Sequence, residues 1–159
     1  MRDFLIDLHE RCHRSFRGFL EHARALTPEQ LDQSLDGFGY DTVREQFQHA
    51  IGAERYWVSV LRDAMDASED AADAASIDAL EAFRQRVFDT TDAWLREQSD
   101  ETLETARTMT VYGGAQRELV PVRIFTRTQT HLFHHMGQIA AMCRLLGHPV
   151  PEGLDLPIV

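Results

Sequence analysis

The sequence contains no lysine: its 16 basic residues are all arginines, which excludes Schiff-base chemistry on a side-chain amine. Cysteine is almost as scarce. Cys12 and Cys143 stand far apart in stretches with helical periodicity, so no disulfide framework is expected, and a reducing, cytoplasmic setting is the natural reading. Long apolar runs are missing too: the opening Met1-Arg-Asp-Phe-Leu-Ile-Asp7 carries charges through its apolar positions, and no later run approaches a membrane span. Positive charge is in deficit. The net charge of −10 has the wrong sign for a nucleic-acid backbone or an anionic membrane as the main partner. What is present, 159 residues at 43% hydrophobic content, suits one globular domain over residues 1–159, long enough to bury a core without staples.

Apolar periodicity divides the chain into four long helices. From Asp3 to about Ala25, Phe4, Leu5, Leu8, Cys12, Phe16, Phe19, Leu20 and Ala23 recur at steps of three and four. Thr27, Pro28 and Gln30 form a capping-box start for a short helical piece, and the glycines of Leu31 to Tyr40 mark a connection. Asp41 is the expected cap of a second long helix to about Met65, whose broad apolar arc includes Phe47, Ile51, Trp57, Val58 and Leu61. Ala67 to Ala75 reads as a solvated loop or frayed turn, and Ser76 caps a third helix to about Gln98. Between Glu101 and Val122 the period changes: β-formers around Val111 and Gly113-Gly114 predict a small hairpin or extended crossover. Pro121 opens the last helix, which runs to about Leu146 with Gly147 at its C-terminal cap. The expectation is an all-α four-helix bundle with a short extended or hairpin insertion before the last helix, and facing helices of a bundle are where internal metal sites are built.

The last helix carries Thr130-His-Leu-Phe-His-His-Met-Gly-Gln138. His131 and His135, at i and i+4, share one face, and that face is the expected core stripe of Ile124, Thr128, Gln138, Met142 and Leu145. A single histidine on an apolar stripe is ordinarily a core residue bonded to a backbone carbonyl. Two in this spacing direct their nitrogens to a common point, as a divalent ion requires, but need a third ligand. His49, on the edge of the second helix's apolar arc, is the best candidate. His134 is rotated by about 60° from the shared face, in reach of a supporting role at most. His9 and His13 have the same spacing but sit among Arg11, Arg14 and Arg17, and are read as surface residues. Glu54 falls inside the apolar arc. An ionised acid there needs a partner, either a ligand imidazole or bound water, or an arginine of a neighbouring helix.

The run His131-Leu-Phe-His-His135-Met-Gly-Gln-Ile139, the earlier His49-Ala-Ile-Gly-Ala-Glu54-Arg-Tyr-Trp57 and the start Leu26-Thr-Pro-Glu-Gln-Leu31 together resemble the DinB-like (DinB/YfiT) superfamily over nearly the whole chain. The resemblance implies a four-helix bundle, commonly a homodimer, with three histidines holding zinc or nickel. On this sequence those are His49, His131 and His135. Members include thiol transferases that use low-molecular-weight thiols and relatives described as metal-dependent hydrolases. The residue after the second histidine of the pair is often arginine in the family and is Met136 here, which removes any anion contact from that position. Three neutral imidazoles leave an open coordination position of the catalytic kind. The expected function is therefore a metal-dependent thiol S-transferase or hydrolase acting on a small electrophile or conjugate, with Glu54 as a supporting partner of the site. The alternative is a non-catalytic metal-binding stress-response or interaction module. A homodimer is also expected from the apolar back of the last helix, where Phe125, Phe133, Met136, Ala140 and Cys143 lie.

Overall fold

The computed structural model describes residues 1–158; Val159, the end of the expected domain, lies outside them. The first helix, α1 (Arg2–Ala23), buries Leu5, Cys12, Phe16, Phe19 and Leu20, the predicted apolar stripe. Thr27 and Gln30 form the expected reciprocal capping box at the start of α2 (Pro28–Leu31). Helix α3 (Val43–Leu61) corrects one assignment: Thr42, not Asp41, is its cap, its hydroxyl accepting the Glu45 N–H at 3.1 Å. The Asp41 carboxylate instead accepts from Ser34 at 2.6 Å. This helix also stops short of Met65, because Asp63 turns the backbone left-handed at φ 56°.

Residues 71–74 form a single 3₁₀ turn, and Ser76 caps α4 (Ile77–Glu97) as expected. A one-turn helix, α5 (Asp100–Glu104), was hidden in the sequence, since it buries Leu103 alone and one apolar residue makes no period. Strands β1 (Arg107–Val111) and β2 (Ala115–Leu119) pair antiparallel around Gly113 and Gly114, both at positive φ. The long α6 (Pro121–Leu145) ends in a Schellman motif, with Gly147 at φ 85°, His148 N–H donating to Cys143 O and Gly147 N–H to Arg144 O.

The four long helices pack in a ring, α1 on α4, α4 on α3, α3 on α6 and α6 on α1. The observed architecture is thus the all-α bundle with a hairpin before the last helix. Its core is in two parts. One is built around Phe16, Phe47, Leu80 and Ile139, the other around Leu5, Leu61, Leu95 and Phe125. Between Leu5 and Cys12 on α1, Ile51 and Val58 on α3, and Val87 and Trp94 on α4, the side chains are polar and buried: His9, Glu54 and Thr91.

Phe125, Met136 and Cys143 on the back of α6 are covered within the chain, so their apolarity is accounted for by central burial. The tail runs back along α1, where Leu154 occupies the space a side chain at Gly18 would need: a Cβ there would sit 2.7 Å from Leu154 Cδ2. Among the described residues no helix is long and apolar enough to cross a membrane.

Candidate metal centre

The i,i+4 spacing on α6 brings His131 Nε2 and His135 Nε2 to 3.2 Å from each other. Two nitrogens each about 2.0–2.1 Å from one tetrahedral ion would be about 3.3 Å apart, so this separation suits a shared ligand sphere. From the neighbouring α3, His49 sets its ring 5.2 Å from that of His131 and 4.9 Å from that of His135. One ring nitrogen from each of the three lies within 4.8 Å of the others. The sequence-predicted trio is therefore brought together.

A chain of amides fixes which nitrogen of His135 is available. Gln46, one turn before His49 and fully buried, donates from Nε2 to the Tyr40 carbonyl at 2.7 Å and to Gln138 Oε1 at 2.8 Å. Those bonds determine its orientation, so its Oε1 accepts the N–H of His135 Nδ1 at 2.5 Å. The Nε2 lone pair of His135 is thereby left facing His131. Gln138 in turn donates from Nε2 to His134 Nε2 at 2.6 Å. His134 thus helps to orient the centre from two steps away. The Tyr40 ring stacks on His49 at 4.0 Å. Neither Gln46 nor Tyr40 was singled out in the sequence; for Gln46 the only signal was its one-turn offset from His49.

All three histidines are held neutral at ordinary pH. Burial, then the neighbouring His49, Arg127 and His134, takes His131 down to about 4. Burial and the adjoining imidazoles take His135 to about 3. Burial also lowers His49, with Glu69 opposing it. Neutral nitrogens with directed lone pairs are the donor set that a borderline ion such as zinc or nickel takes.

The trio has an open side. A cleft of about 780 Å³ is lined by His49 and His131 together with Tyr40, Trp57, Arg55 and Arg127. His135, only 4% exposed, closes the centre from the buried side. The far wall includes Tyr112 at the hairpin tip, whose N–H donates to Tyr56 Oη at 2.9 Å and so ties the hairpin to α3.

A second cluster overturns the reading of His9 and His13 as surface residues. They are 0% and 4% exposed, and both donate from Nε2 to Glu54 at 2.9 Å, one to each carboxylate oxygen. The Thr91 hydroxyl donates to the same oxygen as His9, at 2.8 Å, and Arg84 donates to His13 Nδ1 at 3.3 Å. The physical reason lies in the helix angle. Positions 5, 9, 12, 13, 16 and 20 share the inner face of α1, whereas Arg11, Arg14 and Arg17 turn away from it. Glu54 accordingly spends its carboxylate on His9, His13 and Thr91, and none of its hydrogen bonds goes to His49, His131 or His135. Burial alone would raise this carboxyl, but the two imidazoles and their hydrogen bonds outweigh it and hold it well below the ordinary value. Its three ligand-type atoms also satisfy the spacing of a metal site. However, His13 Nδ1 already accepts from Arg84, so its proton belongs on Nε2, and Nε2 is then a donor to Glu54 and not a ligand.

Neither cysteine is poised for chemistry. Burial, then the charge of Glu54, pushes the Cys12 thiol up to about 12, and burial pushes Cys143 to about 11.

The family model described as the DinB family matches residues 1–157 of the chain. No curated protein matches it.

Proposed function

The chain belongs to the DinB family, and on that premise we propose that it is a metal-dependent enzyme, a thiol S-transferase or hydrolase acting on a small electrophile or conjugate. Its ion, zinc or nickel, is assigned to His49, His131 and His135, and a low-molecular-weight thiol is the proposed cosubstrate. The observation that carries this reading is the cleft opening onto His49 and His131. A ligand sphere closed by protein would have favoured the non-catalytic binding module instead.

A bound divalent ion would supply a Lewis-acidic position at which a thiol or water gives up its proton near neutral pH. The chain's own residues do the rest. Gln46 holds the His135 ring in the tautomer that leaves Nε2 free. Tyr40 packs over His49, and Trp57, Tyr56 and Tyr112 give the cleft apolar surface against which a small organic substrate can exclude water. A homodimer and a cytoplasmic location belong to the same proposal.

Elemental analysis combined with a thiol-conjugation screen tests it. One ion per chain is expected, together with conjugation or hydrolysis that disappears on chelation and returns with zinc or nickel. Metal-free purified protein, with His131→Ala leaving the affinity for added zinc or nickel unchanged, would sink the proposal.

A further inference from the structure

Carboxylates outnumber arginines in this chain, 26 acids to 16 arginines, and arginines such as Arg44, Arg84 and Arg107 are paired with them. Several others have no such partner, and of these Arg127 and Arg55 line the cleft. Among the described residues the Arg127 guanidinium makes no hydrogen bond and no ion pair; its partner is the Trp57 ring, 5.7 Å away at the centroid. Both side chains line the cleft that opens on His49 and His131. Arg127 precedes His131 by one helical turn, which puts the two on one face of α6, and its charge reaches that ring. Arg55 lies in the same cleft with its guanidinium 5.5 Å from the Phe83 ring centroid, and its buried Nε has no partner.

An aromatic contact occupies the flat face of a guanidinium and leaves its in-plane N–H groups for an oxyanion. The metal ligands add no negative charge, since all three are neutral imidazoles. Glu45, Glu69, Asp70 and Asp73 share the cleft lining, and Glu69 acts on His49 and Tyr40, so an anion is repelled by these acids and its attraction comes from Arg127 and Arg55.

We propose that Arg127, backed by Trp57, is a carboxylate anchor, and that the site takes a short thiol bearing a carboxylate, with the carboxylate on Arg127 and the sulfur toward the three histidines. This assignment rests on the metal-dependent reading above and names its substrate class. A charge-assisted, bidentate contact of this kind sets affinity and orientation together.

The test is a titration of the cobalt-loaded protein with 3-mercaptopropionate and with 3-mercaptopropionamide, which differ by one charge, following the visible cobalt spectrum for sulfur binding. The carboxylate thiol is expected to bind about tenfold or more tightly than the amide, with a preference that shrinks as salt is added. Arg127→Gln should bring the two affinities to within about twofold of each other, and Arg127→Lys should keep part of the preference, because it keeps the charge without the planar fork. Arg127 is exposed, so both variants should fold, and their cobalt content and circular dichroism check this. Equal affinities for the two thiols in the parent protein, or a preference that survives in Arg127→Gln, would overturn the anchor while leaving the metal reading standing. If neither thiol perturbs the cobalt spectrum, the anchor fails and so does the thiol cosubstrate, and the metal-dependent hydrolase reading is left standing; failure to take up cobalt at all would sink the metal reading itself.

Discussion

Replacing Glu54 is the perturbation with the most sharply divided outcomes. Its carboxylate is 1% exposed and accepts three hydrogen bonds, from His9, His13 and Thr91. Glu54→Leu removes the acceptor of all three bonds at once and leaves the His9 and His13 Nε2–H groups and the Thr91 hydroxyl unpaired in the core, while Arg84 keeps its ion pair with Glu81. Breaking a buried charged network by deleting one partner costs about 3–5 kcal/mol, against a total stability of about 5–15 kcal/mol.

Glu54→Gln is different. One imidazole must now accept from the new amide. His13 cannot change tautomer without setting its Nδ1–H against Arg84, so the change falls on His9, whose Nδ1 is buried with no partner. The cost is then one unsatisfied buried N–H and a lost charge, about 1–3 kcal/mol. In urea, with a slope of about 2 kcal/mol per molar, the midpoints should fall by roughly 2 M for Glu54→Leu and roughly 1 M for Glu54→Gln, measured on chelated protein. Glu54→Gln should still bind one ion per chain. Equal costs for the two variants, or a Glu54→Leu midpoint within about 0.3 M of the parent, would refute the network. Loss of one of two bound ions in Glu54→Gln would make the cluster a metal site.

The remaining expectations concern the metal centre and its surroundings. Gln46→Leu should weaken metal binding about 10–100-fold, because the His135 tautomer is no longer imposed; competition with a chromogenic chelator measures it, and an unchanged affinity would remove Gln46 from the centre. Cys12→Ser and Cys143→Ser should retain activity in a thiol-conjugation assay, since both thiols are buried and stay protonated, whereas a dead cysteine variant would point to a cysteine enzyme. The metal-free protein should lose stability as pH falls below about 6.5. Burial lowers His13, and burial with neighbouring charges lowers His131 to about 4 and His135 to about 3, so the unfolded chain takes up protons first. Below 4.5 the depressed Glu54 adds to the loss in the same direction, and a urea midpoint that is flat from pH 7 to 4 would contradict both. Sedimentation at micromolar concentration decides the proposed homodimer, for which a monomer is the contrary result.

What was legible in the sequence is what one helix determines by itself. His131 and His135 are fixed relative to each other by a single backbone, so their convergence could be read from spacing, and Ser76 and the Thr27 box could be read because caps act within one turn. The Asp41-Thr42 pair offered two capping side chains in succession, and the choice between them was made by Ser34, which engages Asp41 from seven residues away. The bond from His135 to Gln46 crosses 89 positions, and no periodicity encodes which residues of α3 face which residues of α6. His9 and His13 were a different kind of miss. Their angle on α1 placed them with Leu5 and Phe16, but the arginines around them set the composition of the window, and composition does not say which way a side chain points. For Glu54 the apolar arc correctly announced burial. Its partner came from a helix across the ring, which a projection of α3 alone does not contain.

The two histidine clusters use opposite sides of α3. Five residues separate His49 from Glu54, about 140° around a helix, so the residue that reaches the centre and the residue that reaches α1 cannot exchange roles without turning the helix. Turning it by one residue, about 100°, would take His49 away from His131 and His135 and would also strip Glu54 from His9, His13 and Thr91. Apolar contacts alone resist such a rotation weakly, because Phe47, Ile51 and Val58 on this helix can be accommodated by an apolar core in more than one arrangement. A buried carboxylate with three fixed donors resists it strongly, since every other rotation leaves polar groups unpaired in the core. A centre assembled from two helices tolerates displacements of only about 0.5 Å. The Glu54 network therefore supports the His49–His131–His135 arrangement without touching it, by holding α3 at the one rotation in which His49 and Gln46 both face α6.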